Sequence, residues 1–180
     1  MHEKTLSSKQ IFTCHFMTLF EDEVELDKGV LTKRVYIKHP GAAAVLPLTK
    51  DGLFILTKQF RYPIHQVSIE IPAGKKDHEF EDALECAKRE LEEETGYMSS
   101  NYCHLQTFHT CLGYSNETID IYLAKDCTIK ENPKKQDEDE NIQILFVTIE
   151  EAQKMIEQGE ITDGKTILAI HKYLLFQQIK

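Results

Sequence analysis

Apolar and polar positions alternate in short runs at the start of the chain, and this pattern predicts strands. Residues 11–20, 24–26 and 30–38 are rich in apolar and aromatic side chains, with a turn at 27–29. We therefore predict three strands within 10–38. A small antiparallel sheet of this size is marginally stable alone, so we expect it to pack on a partner subunit or on the rest of the chain.

The middle of the chain predicts a larger, buried sheet. Residues 42–48 form a near-continuous apolar run, which is typical of a strand covered on both faces. The turn at Asp51 and Gly52 connects this run to 53–60, and together they predict a hairpin. Further strands are predicted at 67–72, 102–114, 118–123 and 142–147. Apolar periodicity predicts helices at 149–158 and 165–178, so the whole indicates an α/β fold with a mixed sheet covered on both faces.

One predicted helix crowds carboxylates on one side. Apolar residues recur at helical spacing over 83–91 and predict a stripe that faces the core. Glu90 and Glu94 lie four residues apart on one face, with Glu93 beside them, and Gly96 fits the helix C-cap. Like charges so placed repel. A hard divalent cation such as Mg²⁺ would offset that repulsion, because it binds carboxylate oxygens. The alternative is an ordinary solvated acidic helix.

Composition narrows the class of protein. A chain of 180 residues with 41% apolar residues suits one domain with a sizeable core. Five scattered cysteines without C-x-x-C spacing favour reduced thiols over a zinc site. No apolar run approaches membrane-spanning length and the first ten residues lack a signal-peptide core, so we expect a cytoplasmic protein with no membrane partner.

The net charge of −9 argues against nucleic-acid binding, which needs a basic surface. A phosphate substrate would also be repelled by this charge. Metal ions that bridge carboxylate and phosphate would resolve that conflict.

The segment 74–97 resembles the Nudix box, G-x5-E-x7-R-E-U-x-E-E-x-G-U, where U is apolar. The matching positions are Gly74, Glu81, Arg89, Glu90, Leu91, Glu93, Glu94, Gly96 and Tyr97. One departure is that six residues, rather than five, separate Gly74 from Glu81. We expect Gly74 to let the chain turn sharply before the helix. The resemblance implies a Nudix hydrolase, with an α/β/α sandwich around a mixed sheet and an N-terminal antiparallel strand appendage.

Further segments resemble the branch of this family that hydrolyses ADP-ribose and other nucleoside diphosphate sugars. They are residues 59–63, 70–74, 113–117, 137–142 and 162–166. In that branch the N-terminal strands build a homodimer, which implies a dimerisation element at 1–38 and a hydrolase domain at 39–180. The substrate loop departs from the pattern, since Leu112 stands where ADP-ribose enzymes usually carry proline.

The resemblance implies a metal site and its supporting residues. Mg²⁺, with Mn²⁺ as a possible substitute, would be held by the backbone carbonyl of Ala73 and by Glu90, Glu93 and Glu94. Arg89 would fix the orientation of a neighbouring carboxylate, and Glu81 would support the site or bind metal directly. A general base is also required. Glu138 and Glu140 are the candidates, one as base and the other as a metal contact; the alternative is a solvated charge run.

Substrate contacts are predicted at scattered positions, which are Arg34, Arg61, Glu70, Gly113 and Glu117. Guanidinium groups suit phosphate and ribose oxygens, although either arginine could instead be a structural ion-pair partner. Glu70 could accept a hydrogen bond from the base or a sugar hydroxyl. Phe16, in the N-terminal strands, is a candidate for stacking on the base.

The predicted reaction is Mg²⁺-dependent hydrolysis of the diphosphate bond of a nucleoside diphosphate sugar, with ADP-ribose giving AMP and ribose 5-phosphate. Two alternatives stay open. One is a Nudix hydrolase acting on another nucleotide, such as GDP-mannose or a dinucleoside polyphosphate. The other is a noncatalytic nucleotide-sensing module, which the presence of all three metal-binding glutamates disfavours.

Overall fold

A computed structural model describes residues 2–133 and 141–178. The two candidate bases, Glu138 and Glu140, lie outside these residues. The strands are β1 (Glu3–Thr13), β2 (Thr18–Leu26), β3 (Leu31–Lys38), β4 (Ala42–Thr49), β5 (Phe54–Arg61), β6 (Gln66–Glu70), β7 (Ala73–Lys75), β8 (Tyr97–Met98), β9 (Asn101–His109), β10 (Thr118–Ile129) and β11 (Gln143–Val147). The α-helices are α1 (Ala83–Thr95), α2 (Ile149–Glu157) and α3 (Gly164–Gln178), and a short 3₁₀ helix covers Tyr62–Ile64.

The N-terminal sheet consists of β1, β2 and β3 in antiparallel order. Three strands were predicted here, but their bounds differ from the prediction. The first strand begins at Glu3 rather than after residue 10. The prediction missed this start because β1 is exposed along its whole length and has no buried apolar face that a sequence pattern could indicate. The run predicted as one strand over 11–20 is interrupted by a turn, in which the Cys14 N–H donates to the carbonyl of Met17 at 3.0 Å.

The larger sheet is mixed, as predicted. Its strands run in the order β11-β5-β4-β10-β8, with β6 added to β5, β7 to β4 and β9 to β10. Only the β4–β10 pair is parallel among the pairs of the described strands. The predicted hairpin of β4 and β5 is paired only at Leu48 and Phe54, after which the strands diverge. This divergence lets β7 pair with β4, which brings the start of the carboxylate-rich segment onto the sheet.

Strand β4 shows why helices cover both faces of this sheet. Ala43 and Val45 point to one side and pack in a cluster with Ala87 and Leu91 of α1. The neighbouring residues of β4 pack on the other side with α2 and α3. Because successive side chains of a strand point to opposite faces, one continuous apolar run serves two cores. The α/β/α sandwich is thereby confirmed. No helix in the described part of the chain is both long and apolar enough to span a membrane.

Candidate active site

Helix α1 is fixed at both ends and along its buried face. The Asp82 carboxylate caps its N-terminus by accepting from the backbone N–H groups of Leu84 and Glu85 at 2.9 and 3.0 Å. Gly96 ends it in the left-handed conformation, with φ of 71°, which confirms the predicted C-cap. Leu91, on the core-facing side of α1, is fully buried. The helix also packs against β7, and Glu90 lies at this contact.

The side chain of Arg89 gathers four carboxylates around it. Its guanidinium lies 2.6 Å from Glu90, 3.2 Å from Glu93, 3.5 Å from Glu81 and 3.8 Å from Asp77. We call these five residues the carboxylate cleft. All of them except Glu81 line a small polar cavity of about 130 Å³. The extra residue before Glu81 does not prevent that side chain from reaching Arg89. Burial disfavours the charged guanidinium, but the charges of Glu90 and other neighbouring groups, together with the hydrogen bond to Glu93, outweigh it, and the pKa of Arg89 is raised.

Gly74 has a different role from the one predicted. It lies in β7, and its backbone is not in the left-handed region, so it does not make a sharp turn. A Cβ atom at this position would lie only 2.0 Å from a carboxylate oxygen of Glu90. Glycine is required here because the Glu90 carboxylate lies directly against the backbone of β7.

The third predicted metal ligand, Glu94, is nearly buried and accepts a hydrogen bond from the backbone N–H of Ala73 at 3.2 Å. The fourth predicted ligand, the carbonyl of Ala73, therefore belongs to a residue that is tied to the same helix. Glu90, Glu93, Glu94 and Ala73 all meet where α1 packs beside β7.

The chemistry of these donors fits a hard divalent cation. Carboxylates outnumber cationic groups in the carboxylate cleft, and Gly74 leaves room for Glu90 against the backbone. Within residues 2–133 and 141–178, however, no three His, Cys, Asp or Glu side chains are grouped closely enough to hold a metal ion without further donors.

A second cluster, which we call the ion-pair network, comprises Arg61, Glu70, Asp163 and Lys165. Arg61 donates to both oxygens of Glu70, from Nε at 2.7 Å and from Nη2 at 2.9 Å. Lys165 also binds Glu70 and lies 3.1 Å from Asp163. Burial alone would keep Glu70 protonated, but the hydrogen bond from Arg61 and the charges of Lys165 and Arg61 lower its pKa to about 2. Both oxygens of Glu70 are thus occupied by protein cations.

The loop between β9 and β10 is attached to the N-terminal sheet. The Ile37 N–H donates to the carbonyl of Tyr114 at 2.7 Å, and the Asn116 N–H donates back to Ile37 at 3.2 Å. The side-chain oxygen of Asn116 accepts from the His39 N–H at 2.8 Å. Through these bonds the second half of the loop pairs, in parallel orientation, with the end of β3.

Two predicted substrate residues lie in this loop and differ in environment. Glu117 accepts from the Thr110 hydroxyl at 2.7 Å and lies 3.5 Å from the His39 ring, so it braces the loop base. Burial lowers the pKa of His39, against the opposing charge of Glu117. Gly113 lies at the apex, where an added Cβ would meet open space, and Leu112 beside it is 78% exposed.

A cavity of about 500 Å³ lies between the N-terminal sheet and the larger sheet. It is lined by the turn that carries Phe16 and by Lys38 and His39, and the edge of the Phe16 ring faces His39 at 6.2 Å. Lys75 and Asp77 line both this cavity and the polar cavity of the carboxylate cleft. The two spaces are therefore adjacent, with an aromatic ring in the larger one.

Arg34, a predicted substrate residue, is not brought to the carboxylate cleft or to the ion-pair network by the contacts of the described residues. Arg34 pairs with Glu3 on the N-terminal sheet, at 2.8 and 2.9 Å. Glu138 and Glu140 lie outside the described residues. The structure also adds residues that the sequence did not suggest as functional, which are Asp77 in the carboxylate cleft and, in the ion-pair network, Asp163 and Lys165. The position of Lys165 in the sequence could have indicated a specific role. A lysine in the first turn of a helix is electrostatically unfavourable, because the helix dipole repels a cation there.

Comparison with known proteins agrees with this arrangement. The NUDIX domain model matches residues 38–169. An ADP-ribose pyrophosphatase of Bacillus subtilis (strain 168) is 40% identical over 178 residues, covering 99% of this chain and 95% of that protein. A methanol dehydrogenase activator of Bacillus methanolicus is 40% identical over 176 residues, covering 98% and 94%. A crystal structure described as an ADP compounds hydrolase shares the fold, with a TM-score of 0.82, 19% identity and coverage of 99% and 95%.

Proposed function

Because this chain belongs to the NUDIX family, and is a pyrophosphohydrolase of that family, we propose that its substrate is ADP-ribose, cleaved to AMP and ribose 5-phosphate. The observation that carries the proposal is the excess of carboxylates around Arg89, in a cavity that adjoins a larger one lined by Phe16. A diphosphate would lie at the carboxylates and its nucleoside in the larger cavity. Water is the second reactant, and one P–O bond of the diphosphate breaks.

We propose that a divalent cation, Mg²⁺ or alternatively Mn²⁺, is held by Glu90, Glu93, Glu94 and the carbonyl of Ala73. When bound, it would neutralise the diphosphate and lower the pKa of the attacking water. Arg89 keeps the carboxylates of Glu90 and Glu93 in place through the bonds described above. The general base stays a prediction, with Glu138 and Glu140 as its candidates.

Arg61 is the better supported of the two arginines for binding phosphate oxygens. It is partly exposed and its guanidinium is held rigidly by Glu70, whereas Arg34 is paired with Glu3 on the N-terminal sheet. Glu70 would then act by holding Arg61, since its own oxygens are occupied. Gly113 and Glu117 would shape the wall near the terminal sugar, Glu117 by bracing the loop.

A hydrolysis screen tests this function. ADP-ribose, GDP-mannose, NADH and diadenosine polyphosphates are each incubated with the protein and Mg²⁺, and products are identified by chromatography. We expect AMP and ribose 5-phosphate from ADP-ribose at the highest specificity constant. Cleavage of another compound without cleavage of ADP-ribose would refute the substrate. Absence of hydrolysis of all of them, with retained nucleotide binding, would favour the noncatalytic sensing module.

We also propose that the chain is a homodimer joined through residues 1–38, with the hydrolase domain at 39–180, and that it is cytoplasmic. The support for the dimer is a set of large apolar side chains exposed on the N-terminal sheet, which are Leu6, Ile11, Phe12, Leu31 and Val35. Light scattering at micromolar concentration should give twice the mass of the 20.8 kDa chain. Val35→Lys should yield monomer, whereas the control Ile129→Lys, at the exposed end of β10, should not. A monomeric wild type would contradict the proposal.

A further inference from the structure

Lys165 lies at a position that is electrostatically unfavourable for a lysine unless nearby carboxylates compensate for its charge. It lies in the first turn of α3, where the helix dipole repels a cation. Its side chain is only 11% exposed, so its charge is also largely removed from water. Two carboxylates, Glu70 and Asp163, compensate for both costs.

The contact to Glu70 extends the influence of Lys165 to a third element. Glu70 ends β6, and its two oxygens accept from Nε and Nη2 of Arg61 at the end of β5. Bidentate pairing of this kind fixes the plane of the guanidinium. Lys165 binds the same carboxylate and thereby limits its rotation.

Arg61 is the most exposed member of the ion-pair network. Its side chain is 40% exposed, whereas the Glu70 side chain is 6% exposed. The hydrogen bond that Arg61 donates to Glu70 raises the pKa of Arg61, and the charge of Glu94 contributes to the same shift. Glu70, which holds this guanidinium, lies three residues before Ala73, and the Ala73 N–H donates to Glu94 of α1 at 3.2 Å. The partly exposed cation is therefore held by a buried residue whose neighbouring segment is bonded to α1.

We propose that Lys165 is a positioning residue, which holds Glu70 so that Arg61 keeps its guanidinium turned toward the diphosphate. This proposal rests on the proposed function. Lys165 does not touch the substrate; it acts through Glu70 on Arg61. Removing its charge leaves Glu70 bound by one cation instead of two and lets the Arg61 fork move.

The first test separates substrate binding from turnover. Lys165→Met should raise KM for ADP-ribose about tenfold and change kcat less than about threefold, because a group that contacts substrate is displaced while the hydrolytic residues stay in place. Lys165→Arg, which keeps the charge, should restore KM to within about threefold of wild type. The matched control Lys172→Met, on the same helix, should leave both constants unchanged, and thermal melting verifies folding of each variant.

A double-mutant cycle tests whether the effect passes through Arg61. In an Arg61→Ala background, Lys165→Met should change KM by less than about twofold, since the group it positions is already absent. A full tenfold increase in that background would overturn the proposal, because Lys165 would then act by another route.

A readout without catalysis keeps this inference separate from the substrate assignment. The Arg61 Nε–H signal in ¹⁵N NMR should exchange slowly with water in the wild type and at least about tenfold faster in Lys165→Met, because its hydrogen bond to Glu70 loosens. Unchanged exchange would overturn the positioning role. Failure of wild type to cleave ADP-ribose would refute the substrate while leaving this measurement decisive.

Discussion

The carboxylate cleft and the ion-pair network differ in charge balance. In the cleft, four carboxylates surround the single guanidinium of Arg89. In the network, two cations meet two anions, and the charges cancel. A cluster whose charges cancel needs no further ion and holds its side chains in place. A cluster with excess negative charge favours the binding of an external cation. The excess of negative charge, rather than the number of charges, distinguishes the proposed site of chemistry from its proposed support.

Removing one negative charge from the proposed metal ligands beside the carboxylate cleft should have the largest effect. Glu94→Gln should reduce kcat by about a hundredfold or more, because the metal would lose a ligand that helps it stabilise developing charge. The amide oxygen can still accept from the Ala73 N–H, so the fold should persist. Rates are measured with Mg²⁺ and with excess chelator, and full activity in chelator would rule out the proposed metal.

The balanced cluster should respond to acid instead. The pKa of Glu70 is lowered from its usual value of 4.5 to about 2 in the folded protein. A lowered folded pKa adds stability above pH 4.5 that is lost as the pH falls toward 2, and the shift corresponds to about 3 kcal/mol.

Urea unfolding at pH values from 7 to 3 measures this dependence. Glu70→Gln should be less stable at neutral pH and should lose less stability on acidification than wild type. The control Glu160→Gln, at an exposed position, should retain the wild-type slope. Parallel slopes for Glu70→Gln and wild type would show that the network does not contribute this acid sensitivity.

A methyl group can probe the cleft without changing any charge. Gly74→Ala should push the Glu90 carboxylate away and reduce kcat about tenfold, since only the position of one ligand changes. Stability should change little, because the displaced atoms are the flexible end of a side chain. The control Gly164→Ala adds a methyl in open space and should be silent; equal activities of Gly74→Ala and wild type would contradict the close contact.

The smallest effect concerns the loop apex. Leu112→Pro should raise the preference for ADP-ribose over GDP-mannose about fivefold, because a stiffer apex loses less entropy on binding, by about 1 kcal/mol. No backbone hydrogen bond recorded for residues 110–117 uses the Leu112 N–H, so proline removes none of them. Specificity constants for both compounds measure the preference, and an unchanged ratio would show that apex stiffness does not set it.

The sequence predicts the cleft better than the network because of how each is encoded. The cleft residues from Asp77 to Glu93 lie in one contiguous segment, and helical periodicity alone places Arg89 and Glu93 on a shared face. The network joins β5, β6 and α3, and the pairing of Lys165 with Glu70 across 95 residues depends on tertiary packing. A local sequence pattern does not show which residues 95 positions apart will meet in the fold, so the sequence alone indicated no role for Lys165.

Two errors in the predicted fold have separate physical causes. Strand β1 is exposed along its length, so its first residues have no apolar alternation that would predict a strand. A glycine in a motif indicates either a special backbone conformation or a close approach by another group, and the sequence does not separate these. For Gly74 the approaching group is the carboxylate of Glu90, sixteen residues later.

The attachment of the β9–β10 loop has a consequence for how such proteins diversify. Ile37 and Asn116 secure one side of the loop, and the bond between Thr110 and Glu117 closes its base. Leu112 and Gly113 project beyond this closure into open space. Evolution can therefore alter the tip, by substitution or insertion, without loss of folding stability. The selection of new substrates is uncoupled from the maintenance of the scaffold at this loop.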